Sequence, residues 1–110
     1  MDKLISFKSY SGDDLNGILK SKFQLNNKIV IFVPGFERCG TTEPKFRYIG
    51  NLLRNELFTT FQFDFTGLGI SGGDFFDSSI ESCTQDLNNA ILELNKLISD
   101  LKIYIVAHSY

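Results

Sequence analysis

The chain has 110 residues, 43% of them hydrophobic and 22% charged, with a formal net charge of −2, the composition of an ordinary globular domain. The slight acidity excludes a basic footprint for nucleic acid or anionic membrane, and no apolar run approaches the roughly 18 residues that span a bilayer. The two cysteines, Cys39 and Cys83, lie far apart and lack the paired C-x-x-C spacing of a zinc or redox site. The chain opens directly on a strand-like pattern with no h-region or cleavage site, which predicts a cytoplasmic protein with reduced thiols.

No repeat, low-complexity tract or flexible linker divides residues 1–110, so one domain is expected. Residues 4–9 and 15–23 alternate apolar and polar side chains around the turn-forming Ser11-Gly12-Asp13-Asp14, which predicts an opening hairpin. Lys28-Ile29-Val30-Ile31-Phe32-Val33 is a continuous β-branched and aromatic run, the mark of a strand buried on both faces. It breaks at Pro34-Gly35.

Over residues 43–57 the period becomes helical, with Phe46, Ile49, Leu52, Leu53 and Leu57 on one stripe and Pro44 suited to the first turn. Residues 61–65 read as another strand, followed by the glycine-rich stretch 66–73. A second helix is expected to open at Ser78, with Glu81 completing a capping box. Its stripe runs through Ile80, Cys83, Leu87, Ala90, Ile91, Leu94 and Ile98. A last strand covers 102–106 and leads into Ala107-His108-Ser109-Tyr110. The order β-β-β-α-β-α-β predicts an α/β fold in which a mostly parallel sheet of five strands carries two helices on right-handed crossovers.

A strand ending in small-His-Ser matches the first half of a G-x-S-x-G nucleophile elbow, where a sharp strand-to-helix bend pushes the serine hydroxyl out above the sheet. Ala107 holds the first glycine position. Two more segments fit in order: Val33-Pro34-Gly35-Phe36 after the third strand, and Asp64-Phe65-Thr66-Gly67-Leu68-Gly69-Ile70-Ser71-Gly72 after the fourth. Together they make the chain resemble the N-terminal half of an α/β-hydrolase, in the serine esterase and acylaminopeptidase-like branch that includes cinnamoyl and feruloyl esterases.

That resemblance implies a fold cut after the elbow strand and a serine hydrolase acting on a carboxylic ester, thioester or amide. Ser109 would be the nucleophile, and the backbone N–H groups of Phe36 and Tyr110 would hold the oxyanion. Gly35 would allow the turn that aims the Phe36 N–H, although this chain has Pro34 where the family usually has histidine. Asp64, Gly67, Gly69, Ser71 and Gly72 would build a structural turn. No metal and no cofactor is implied. The partners expected are a small acyl ester or amide substrate and a complementing C-terminal half, with no nucleic acid and no membrane. In the family the triad acid and base follow the serine, so both are expected beyond Tyr110. The alternative to an enzyme is an inactive truncated product or a binding module.

Two other patterns compete. Gly67-Leu68-Gly69-Ile70-Ser71-Gly72 also spells the G-x-G-x-x-G of dinucleotide-binding Rossmann proteins, but that motif needs the helix to begin within it so that its N-terminus meets the pyrophosphate. His108 is the one histidine and is adjacent to Ser109. Neighbouring residues on an extended chain project to opposite sides, so it reads as a buried or pocket-edge side chain rather than the general base.

Overall fold

The computed structural model describes residues 1–35, 38–77 and 79–108. The elements in chain order are β1 (Asp2–Lys8), β2 (Asp14–Lys20), β3 (Lys28–Val33), α1 (Pro44–Asn55), β4 (Thr59–Phe63), a short 3-10 turn (Phe75–Asp77), α2 (Ile80–Leu97) and β5 (Lys102–Ala107). They form one five-stranded sheet in the order β1-β2-β4-β3-β5. β3 pairs in parallel with β4 and with β5. The hairpin expected at the start is present and adds an antiparallel portion, because β2 lies antiparallel along β4 from Gly17↔Phe63 to Lys20↔Thr60. The sheet is therefore mixed, parallel on the β5 side and antiparallel on the β1 side.

Alternation along β3 explains why it sits inside. Ile29 and Ile31 join the larger core with Phe61, Phe63, Ala90 and Leu94, while Val30 and Phe32 face the other way, onto Phe46 of α1. The two helices thus cover opposite faces. The α2 side is built on phenylalanine: Phe63 lies 5.8 Å from Phe61, 6.0 Å from Phe7 and 4.9 Å from Phe65, centroid to centroid, in the stacked and edge-on arrangements that aromatic rings prefer.

β4 starts two residues earlier than its pattern suggests, at Thr59. Its α1 face is polar yet buried, and these groups have partners. Arg54 of α1 donates from Nη1 to Thr60 Oγ1 (2.5 Å) and from Nη2 to Asn51 Oδ1 (2.5 Å). Burial pulls the pKa of the Arg54 guanidinium below its usual value, and the nearby charge of Asp2 partly opposes this.

Both helical stripes are narrower than their spacing implies. On α1, Leu52 is exposed, and Leu57 lies past the helix end at φ +66°. On α2, Ile80 is the first helical residue and is 88% exposed, because packing onto the sheet begins one turn later, at Cys83. The capping box also falls one residue later than expected. Ser79 Oγ accepts the Ser82 N–H (3.1 Å) and Ser82 Oγ accepts the Ser79 N–H (2.7 Å); Ser78 lies outside the described residues.

β5 has β3 on one side and, among the described residues, no strand on the other. Tyr104 and Ile105 are each about half exposed, although Tyr104 makes an edge-on contact with Phe58 at 5.9 Å. A flat apolar edge invites pairing with another chain. Ile105→Lys should therefore reduce self-association of the 110-residue chain, measured by sedimentation, while far-UV circular dichroism stays the same. Unchanged association would mean that another surface drives it.

Candidate active site

β5 ends at Ala107, level with the end of β3. Ala107 pairs with Val33, and the His108 N–H donates to the Val33 carbonyl at 3.1 Å. The path of the chain is thus defined up to the residue before Ser109, with His108 half-buried. The proposed nucleophile Ser109 and the two proposed oxyanion donors, Phe36 and Tyr110, lie outside the described residues.

The loop after β3 runs beside this end. A Cβ on Gly35 would sit 2.9 Å from the His108 carbonyl oxygen, closer than real Cβ contacts come, so only glycine lets the loop approach the elbow strand there. The Arg38 N–H donates to the Gly35 carbonyl at 3.0 Å, tying together the two residues that flank positions 36 and 37. An apolar groove of about 460 Å³ opens alongside, between Val33, Pro34, Phe65 and the first turns of α2 at Ile80, Cys83 and Leu87.

The second loop, after β4, is organised by buried carboxylates. Asp64 is fully buried. Its Oδ1 accepts the Thr41 N–H (3.0 Å), and its Oδ2 accepts the Thr41 hydroxyl (2.7 Å) and the Ile70 N–H (3.0 Å). Gly69 sits at φ +51°, and a Cβ there would meet Asp64 Oδ2 at 2.1 Å, so both the turn and the close approach require glycine. Ser71 Oγ donates to the Asp64 carbonyl (2.5 Å) and accepts the Asn16 N–H (2.9 Å), stitching the loop to β2.

Asp86 of α2 is also fully buried, and its Oδ2 accepts both the N–H and the hydroxyl of Thr66 (3.0 and 2.7 Å). Its Oδ1 has no partner among the described residues. Sequence reasoning missed Thr41, Gln62 and Asp86 as parts of this region. For Asp86 a signal existed: a carboxylate three residues after Cys83 and four before Ala90 falls on the apolar stripe, where burial demands a partner.

The same geometry corrects the nucleotide-binding alternative. The Gly67 N–H goes to the Gly72 carbonyl, Leu68 to Phe65, Ser71 to Leu68 and Gly72 to Asp14, and Ile70 goes to Asp64. Those five donors are committed within the protein and are not free to cradle a phosphate. α2 starts only at Ile80, beyond the 3-10 turn, so its N-terminus does not open from the motif. Cys39 and Cys83 are not joined in a disulfide. Among the described residues no cluster of His, Cys, Asp or Glu is placed to hold a metal ion, and no helix is long and apolar enough to cross a membrane.

The arrangement is that of the α/β-hydrolase fold. No family model and no curated protein matches by sequence, whereas solved structures match closely in three dimensions. The α/β hydrolase GrgF from Penicillium sp. sh18 superposes with a TM-score of 0.82 at 19% identity, covering 97% of this chain and 37% of that one. The Pyrococcus furiosus esterase Pf2001 gives 0.80 at 20% identity, covering 97% of this chain and 40% of the esterase. Est1E from Butyrivibrio proteoclasticus, solved with ferulic acid bound, gives 0.78 at 22% identity, covering 94% and 42%. The chain thus spans about two-fifths of the length of the hydrolases it resembles.

One consequence is measurable in stability. Asp86→Ala leaves the buried N–H and hydroxyl of Thr66 without an acceptor and should cost roughly 1–3 kcal/mol. Thr66→Val removes one donor and keeps the other bonded, so it should cost less. Urea midpoints of the two variants check the order.

Proposed function

We propose that the chain is the N-terminal part of a cytoplasmic serine hydrolase that cleaves carboxylic esters, thioesters or amides through an acyl-enzyme. Ser109 attacks the carbonyl carbon, and the Phe36 and Tyr110 N–H groups stabilise the negative charge that develops on its oxygen. The observation that carries this reading is the wedging of Gly35 against the His108 carbonyl. It supports the reading because the loop that leads to position 36 runs beside the strand that leads to Ser109, within a fold shared with esterases. The likeness to Est1E supports the feruloyl-esterase-like branch. The chemistry calls for neither metal nor cofactor.

The general base and its acid partner belong to a complementing C-terminal half. The side of β5 that has no strand among the described residues is where a further strand of that half would add. Without a base, a serine hydroxyl is a weak nucleophile at neutral pH. The 110-residue chain alone should therefore hydrolyse nitrophenyl acetate no faster than its Ser109→Ala variant. Expressed with the reading frame that follows codon 110, it should gain turnover that Ser109→Ala abolishes. Absence of turnover in that longer product would favour the alternative of an inactive remnant or binding module.

The oxyanion assignment has its own check in the completed enzyme. Phe36→Ala keeps the backbone N–H and should retain much of the activity, whereas Phe36→Pro removes it and should lower kcat roughly 10²–10³-fold. Equal damage from both would show that the side chain matters instead.

A further inference from the structure

The loop between β3 and α1 is held at both ends, by unlike means. At the β5 end the contact is backbone on backbone, Gly35 against His108. At the β4 end side chains do the holding. Gln62, buried in mid-strand, donates from Nε2 to the Gly40 carbonyl at 3.0 Å. Asp64, at the strand's end, takes both the N–H and the hydroxyl of Thr41. Close packing accompanies these bonds, since a Cβ on Gly40 would lie 2.1 Å from the Phe63 carbonyl oxygen.

A buried carboxylate is costly unless hydrogen bonds replace its lost hydration, and donors from a single loop could do so. The Asp64 carboxylate instead draws them from two loops, Thr41 from the β3–α1 loop and Ile70 from the glycine turn. Charge-assisted bonds of this kind are the stronger ones. Because they share one carboxylate, neither loop can shift without disturbing the other's partner.

We infer that Asp64 is a positioning residue that locks the β3–α1 loop to the glycine turn and so supports the oxyanion-binding role proposed for that loop. Its purpose rests on the acyl-transfer reading above; its geometry does not. A residue needed only for folding would, when removed, loosen the whole sheet. The lock described here loosens two loops and leaves the strands paired.

The chain has no tryptophan, so Phe36→Trp supplies a single tryptophan, excited selectively over the tyrosines, as a reporter in the loop while keeping the backbone N–H. In that background Asp64 is compared with Asp64→Ala and Asp64→Asn, and amide hydrogen exchange is followed by mass spectrometry over residues 34–43, 64–73 and 80–97. Asp64→Ala should raise exchange in both loops about tenfold or more and make the reporter more accessible to acrylamide, with 80–97 unchanged. Asp64→Asn keeps one acceptor oxygen and should fall between. Wild-type exchange in both loops, or an equal rise across all three segments, would overturn the inference. Should Asp64→Ala not fold, Thr41→Val decides: it removes one bond from the pair and should raise exchange over 34–43 and leave 80–97 alone, and no rise there overturns the inference equally. Failure of the acyl-transfer reading would appear instead as missing Ser109-dependent turnover in the product extended past codon 110, with this exchange pattern intact.

Discussion

Every residue of β4 is buried, and the two faces of that strand carry different tasks. Phe61 and Phe63 point into the phenylalanine-rich core beneath α2, where burial of large rings supplies much of the drive for folding. Thr60 and Gln62 point the other way and bond to Arg54 and Gly40. A strand inside an α/β sheet is normally apolar on both faces. Here one face is given to hydrogen bonds, so the helix before the strand and the β3–α1 loop are aligned by direction as well as by contact. Asp64 continues that alignment past the end of the strand.

Much of the architecture was legible because its signals are local. The apolar run of β3, the hairpin turn at Gly12 and the helical periods of α1 and α2 each lie within a short window, and all are present. Errors arose where a long-range partner decided the outcome. β4 begins at Thr59 because Thr59 and Thr60 pair with Ile29 and Val30 of β3, an alignment no local pattern contains. Ile80 fits a helical stripe but has no sheet beneath it. The antiparallel seating of β2 on β4 likewise depends on residues far apart in the chain.

The site divides in the same way. The glycines at 35 and 69 and the carboxylate at 64 stood out, since turn residues and a charged group at a strand end are conspicuous in sequence. Their partners did not. Thr41 and Gln62 are unremarkable until the fold places them against Asp64 and Gly40. The G-x-G-x-x-G spacing shows the limit of reading motifs alone: the same three glycines serve a turn whose N–H groups bond inward.

The sheet order also implies a sequence in time. β1 and β2 are joined by a short turn and pair along their whole length, whereas Lys28 of β3 must find Lys102 of β5 across most of the chain. Local pairings close quickly, and those that bridge long loops wait on the entropy of closure. The hairpin is therefore available early as a template for β4, and the β3–β5 register is among the last to form. Among these five strands, β5 therefore arrives once the surface it docks on has been built.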